Sequence, residues 1–156
     1  MRTEVRNWVQ AIVAEYRPQG PVLEVGGLNV NGTVRDLFPQ EGYLSLDKRP
    51  GLGVDVVADI CNADFDSTFN TVVCCETLEH IERPWEAFNA MRRVLADGGL
   101  FIGTAVFAFP IHNEPEDYWR VTPAAFRLLL EDAGFTDIRI DTEGDGPIGV
   151  FAVARA

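Results

Sequence analysis

Positive charge is scarce in this chain. It has 13 lysines and arginines against 24 aspartates and glutamates, a net charge of −11. Such a surface repels phosphate backbones and anionic lipid heads, which disfavours a nucleic-acid substrate unless a local basic patch exists. Long apolar runs are missing too. None approaches the roughly 18–20 residues that cross a bilayer, so no membrane partner is expected. The first 16 residues mix Arg, Glu and Gln among apolar ones, unlike a secretory leader. Cysteine is limited to Cys61, Cys74 and Cys75, which cannot all pair with one another, and the last two are neighbours in an apolar run. They read as buried free thiols in a reducing compartment, the cytoplasm. A zinc site joining them to His80 matches no familiar ligand spacing, and no metal is expected. No repeat, low-complexity tract or linker breaks the 156 residues, which suit one domain, with residues 1–17 as an N-terminal helix packed on it.

Apolar residues make up 47% of the chain, enough to bury a core. Val5, Trp8, Val9, Ile12, Val13 and Tyr16 recur in steps of three and four, the mark of an amphipathic helix. Breakers at 17–21 end it. Short apolar or β-branched runs then predict strands at 21–25, 43–46, 54–58, 71–75 and 100–106, with two more around Ile138 and Ile140 and at 150–154. Helical patterns lie between them. Val30, Val34, Leu37 and Phe38 suggest a short helix. Pro84 opens a second, with Ala87, Phe88, Met91, Val94 and Leu95 inward and Gly98-Gly99 closing it. Thr122-Pro123 starts a third that buries Phe126, Leu129, Leu130 and Ala133. The stretch 60–70 is too polar and irregular for a full helix. Alternating strands and helices predict an α/β, Rossmann-like three-layer sandwich. Its seven-stranded sheet is mostly parallel and closes in an antiparallel hairpin.

In such a sheet ligands bind beyond the carboxyl ends of the strands, near the topological switch point. The polar residues falling there are Glu24 and Gly26 after the first strand, Asp47 after the second, Asp59 after the third, and Glu76 with Glu79-His80 after the fourth. Gly26-Gly27 lets the chain turn and approach a ligand without a Cβ in the way. Asp47, about 20 residues on, can accept both hydroxyls of a ribose. Asp59 could accept from an exocyclic amine. Each feature alone reads equally well as a plain turn or a solvated strand end; in this order they point to an adenosine site.

The segments 22–26, 46–47, 58–60 and above all 76–84 (Glu-Thr-Leu-Glu-His-Ile-Glu-Arg-Pro) resemble the class I S-adenosylmethionine-dependent methyltransferases of the type 11 group. Residues 117–123 resemble a subset of them. The resemblance implies S-adenosylmethionine as cofactor, with Glu24 and Gly26 at its methionine end and Gly27 and Leu28 in the same turn. It implies Asp47 on the ribose, Asp59 and Ile60 at the adenine, and Glu76 near the amino-acid moiety. It also implies a seven-stranded sheet with only the last strand antiparallel. The chain departs from the family's acid-x-Gly-x-Gly-x-Gly turn, carrying Leu28 and Val30 at the second and third glycine positions. Either the loop takes another path around Asn29, Asn31 and Gly32, or cofactor binding is weakened.

The loop 109–120 follows the fifth strand and concentrates His112, Glu114, Glu116, Asp117, Tyr118 and Trp119. In this fold it faces the transferable methyl, so His112 or Tyr118 is the expected catalytic residue, a base for an attacking hydroxyl or amine. Against this, His112 also reads as a surface histidine and His80 as a structural one. Tyr118 and Trp119 also read as packing anchors, and Arg120 as a partner for nearby acids or for a substrate carboxylate. The expected function is methyl transfer to an oxygen or nitrogen of a methyl acceptor, a small molecule or glycan rather than nucleic acid. A methyltransferase-like binding or scaffold protein without efficient turnover is the alternative. A nicotinamide-dependent oxidoreductase is a third reading, disfavoured by the missing Gly-x-Gly-x-x-Gly.

Overall fold

A computed structural model describes residues 1–113 and 115–156. Glu114, one of the loop acids, lies outside the described residues. The order is α1 (Thr3–Tyr16), β1 (Val22–Val25), β2 (Tyr43–Asp47), β3 (Val56–Val57), β4 (Phe69–Cys75), α2 (Pro84–Val94), β5 (Leu95–Val106), α3 (Pro123–Asp132), β6 (Thr136–Thr142) and β7 (Gly149–Arg155), with single 3-10 turns at Arg35–Leu37 and Leu78–His80. The strands form one seven-stranded sheet, ordered β3-β2-β1-β4-β5-β7-β6. All neighbours pair in parallel except β7, which runs antiparallel to both β5 and β6. Fold class and closing hairpin are therefore as the sequence predicts.

The two-residue period of the strands splits the core. Val22, Val73, Cys75, Leu100 and Ile102 pack under α1 through Val5, Val9 and Ile12. Leu23, Val72, Cys74 and Phe101 pack on the other face against Phe88 and Met91 of α2 and Phe126 and Leu130 of α3. The chain winds outward from β1 to β3 and returns to β4 on the other side of β1. That reversal makes the switch point, between the carboxyl ends of β1 and β4.

Three local expectations are corrected. The helix expected over Val30–Phe38 is only the turn Arg35–Leu37, because the chain before it carries Gly32 at a φ of 129°, outside any helix. The third strand is two residues long, not five: the Asp55 N–H still donates to the Ser45 carbonyl at 2.9 Å, but the Ser45 N–H is taken by the Asp55 carboxylate at 2.9 Å. Finally, α2 ends at Val94, and Leu95 and Gly98-Gly99 belong to β5. Leu95 pairs with Phe69 and Leu100 with Thr71, so five steps on β5 match two on β4. Gly98, with φ 74°, absorbs that irregularity. Thr122 does cap α3, accepting from the Ala125 N–H at 3.1 Å.

Candidate active site

Above the switch point lies a cavity of about 380 Å³, within the usual size for a small-molecule site. Its floor is Gly26-Gly27. Gly26 has a φ of +79°, and a Cβ there would lie 2.1 Å from Thr77 Oγ1. Thr77 is held over the turn by its hydroxyl, which donates to the Cys75 carbonyl at 3.0 Å. A Cβ on Gly27 would lie 1.8 Å from Ser45 Oγ. Both glycines are thus demanded by close approach as well as by the turn. Gly26→Ala is expected to destabilise the protein by roughly 2–4 kcal/mol, from left-handed backbone strain and overpacking together, read as a lower urea midpoint at unchanged slope.

Glu24 sits behind this turn, buried at 7% exposure. Burial pushes its carboxyl up, opposed by the Tyr43 and Ser45 hydroxyls and by Arg35. Leu28 sits in a loop that takes the other path considered, around Asn29 and Gly32. Its N–H donates to Asp47 Oδ2 at 3.2 Å, and its side chain lies where a Cβ on Gly51 would meet it at 2.4 Å. The Leu28 side chain therefore packs on the 48–53 loop, and Gly51 accommodates it. Asn29 Oδ1 accepts from the Gly32 N–H at 2.9 Å, closing the turn without the missing glycines.

Asp47 ends β2 at the cavity wall. Its other oxygen accepts from the Arg49 N–H at 2.9 Å, and a carboxylate has about four acceptor sites, so capacity for ligand hydroxyls is left over. Asp59 ion-pairs with Lys48 at 2.9 Å and accepts from the Cys61 N–H at 3.0 Å. Burial raises its carboxyl, but Lys48 and the Cys61 N–H outweigh that and the net shift is downward. Ile60, buried at 3% exposure, forms apolar wall beside it.

Glu76 follows β4 in a left-handed conformation, φ 47°. Its N–H donates to Thr104, at 3.0 Å to the carbonyl and 3.1 Å to Oγ1. Backbone of this kind is stored where a side chain must be aimed. Here it aims the carboxylate at Arg2, whose Nε donates to Oε1 at 2.6 Å. Arg2 also pairs with Glu143, and its Nη2 is buried without a hydrogen-bond partner among the described residues. Sequence reasoning missed Arg2 altogether. The contact spans 74 positions, and no local pattern reports it.

The loop 109–120 is stitched onto the Leu78–His80 turn. Tyr118 N–H donates to the Glu79 carbonyl at 2.7 Å, Trp119 Nε1 to the Ile81 carbonyl at 2.9 Å, and His80 Nδ1 lies 2.5 Å from the Glu116 carbonyl. Trp119 is thus an anchor, edge-on to Trp85. Arg120 is one as well: it forks onto Asp117 at 2.5 and 2.7 Å and reaches the Phe109 carbonyl at 3.0 Å. These contacts hold the Asp117 carboxyl well below the usual carboxylate range. Asp117 in turn accepts from the His112 N–H at 2.7 Å and lies 3.1 Å from His112 Nδ1. His112 and Tyr118 both line the cavity. Glu79 is fully buried beneath them, and desolvation pushes its carboxyl up to about 7. The cavity therefore brings together Gly26, Gly27, Leu28, Asp47, Asp59, Ile60 and Glu76 along one wall and His112 and Tyr118 at its mouth.

A family model described as a methyltransferase domain matches residues 26–103, half of the chain. No curated protein matches it. Among solved structures it is similar to the N-terminal domain of EvdMO1 in the presence of SAH and D-fucose. There the identity is 20%, the TM-score 0.73, and the match covers 99% of this chain and 84% of that one. The match to EvdMO1 itself has TM-score 0.69 at 20% identity and covers 97% of this chain, which spans 41% of that longer protein. The N-methyltransferase NodS from Bradyrhizobium japonicum WM9 matches at 14% identity and TM-score 0.70, over 98% of this chain and 97% of NodS.

Proposed function

Because the chain belongs to the methyltransferase domain family, an S-adenosylmethionine-dependent group, we propose that it transfers the cofactor's methyl group to an oxygen or nitrogen of a small or extended acceptor, a small molecule or glycan. One observation carries this reading: a cavity of about 380 Å³ at the switch point, floored by Gly26-Gly27 and walled by strand-end carboxylates. The residues fit the cofactor. Asp47 retains acceptor sites for two ribose hydroxyls. Ile60 offers an apolar surface to the adenine, with Asp59 beside it. Glu24, Glu76 and Arg2 supply charges of both signs for an amino-acid moiety. S-adenosylmethionine supplies an electrophilic methyl on a sulfonium, and the acid lining suits that cation.

The chain's own share of the work is alignment, the main source of rate in such a transfer. The Asp117–Arg120 fork fixes the loop, and Asp117 occupies Nδ1 of His112. Nε2 is left with a free lone pair for the acceptor's proton or for an electrophile. The EvdMO1 N-terminal domain, crystallised in the presence of SAH and D-fucose, favours a hydroxyl-rich acceptor. We further propose one domain over 1–156, with α1 packed on it. The free thiols of Cys61, Cys74 and Cys75 favour the cytoplasm, and among the described residues no helix is long and apolar enough to cross a membrane. Titration calorimetry with S-adenosylmethionine, S-adenosylhomocysteine and NAD tests the reading. Both adenosyl ligands should bind and NAD should not; NAD alone binding would reassign the cavity.

A further inference from the structure

Glu79 is a costly residue as it stands. Its side chain has no solvent exposure, and neither carboxylate oxygen has a hydrogen-bond partner among the described residues. A buried acid in that condition calls for a proton or a cation. Arg120, the arginine whose charge acts on Glu79, is committed to Asp117 and to the carbonyls of Phe109 and Pro110. What does face Glu79 is imidazole. His80 Nε2 lies 4.0 Å from Glu79 Oε1. The His80 and His112 rings meet edge-on at 5.0 Å. One ligand atom from each of Glu79, His80 and His112 falls within 4.8 Å of the others.

We propose that Glu79, His80 and His112 bind a divalent transition-metal ion at the mouth of the cavity. Two imidazoles and one carboxylate suit zinc, iron, manganese or cobalt, and three protein ligands leave open positions toward the cavity, as in catalytic sites. The surroundings of the ligands match as well. A metal-bound histidine usually donates its other ring N–H to a carbonyl or carboxylate. His80 Nδ1 has the Glu116 carbonyl at 2.5 Å and His112 Nδ1 has Asp117 at 3.1 Å. Those contacts fix the tautomers that leave Nε2 free on both rings. Metal–ligand bonds of about 2.0–2.2 Å put ligand atoms roughly 3–3.5 Å apart, so binding draws the three side chains together by about 1 Å. The site departs from the expectation of no metal because its ligands meet across two loops, and adjacency of Glu79 and His80 alone carries no ligand spacing. An ion there would take an acceptor hydroxyl into an open position and lower its pKa; that consequence, unlike the site, rests on the proposed methyl transfer.

Titration of chelator-treated, dialysed protein with Co²⁺ tests the site directly through visible d–d absorption, with displacement by Zn²⁺. One Co²⁺ per chain is expected. Glu79→Gln, which keeps the shape, and His112→Ala, on a surface loop, should each weaken uptake by at least about tenfold, since even outer partners of a metal ligand cost that much. His112→Ala supplies the result if Glu79→Gln fails to fold. No absorption at millimolar Co²⁺, or uptake unaltered in the folded variants, overturns the proposal and leaves a protonated Glu79 beside two histidines. Calorimetry with S-adenosylhomocysteine on the same samples reports the methyltransferase reading separately.

Discussion

Asp47→Ala is expected to abolish measurable S-adenosylmethionine binding while the protein remains folded. Asp47 closes β2, pairs in register with Val57 of β3 and turns a partly free carboxylate to the cavity. What it gives the fold is modest: acceptance from the Leu28 N–H at 3.2 Å and the Arg49 N–H at 2.9 Å. Both donors lie in surface loops that water can reach. Two ribose hydroxyls would lose a charged acceptor at roughly 1.5–3 kcal/mol each, so affinity should fall well beyond tenfold. Calorimetry with S-adenosylhomocysteine measures it, and circular dichroism checks the fold. An unaltered dissociation constant would remove the adenosine assignment and, with it, the mapping of Asp59 and Ile60.

His112→Ala should lower turnover by roughly a hundredfold, the usual worth of activating an acceptor's proton, whether the ring takes that proton itself or holds the ion that acidifies it, with cofactor affinity nearly preserved. The ring lines the cavity, oriented by Asp117, while the wall proposed for the adenosine is built from other elements. Tyr118→Phe is the finer probe. Its backbone N–H bond to Glu79 survives the change, and its ring is half exposed, so only the hydroxyl over the cavity is lost. Turnover and cofactor affinity, measured together on an acceptor found by screening hydroxyl-rich small molecules and glycans, separate the roles. Equal rates for both variants and the parent would leave the loop as scaffold alone.

The strands were readable because their apolar, β-branched runs are local, and the acids that end them were readable with them. Asp47 and Asp59 needed nothing beyond position in the chain. Leu28 shows where such reading stops. Its mismatch with a glycine pattern is resolved by Gly51, 23 positions away, which leaves room for the side chain. Gly98-Gly99 resembles a helix stop, whereas strand pairing of Leu95 with Phe69 already ends α2 at Val94. Thr77 over Gly26, Arg2 against Glu76 and Asp117 against His112 are tertiary facts. The Asp117–Arg120 fork, by contrast, is local, and its i, i+3 spacing leaves a trace in the sequence.

Arg2 immediately precedes α1, yet its guanidinium joins the end of β4 to the β6–β7 hairpin through Glu76 and Glu143. Fraying of the first helical turn is therefore expected to loosen the cavity wall at Glu76, where the methionine end of the cofactor is proposed to lie. Helix termini are among the first parts of a protein to open, at small free-energy cost. If the cavity takes the cofactor as proposed, the replacement of one cofactor molecule by another is expected to be paced at this edge of the fold rather than by the sheet. Amide exchange in the first turn of α1 becomes a clock for that replacement, slowed by whatever fills the cavity.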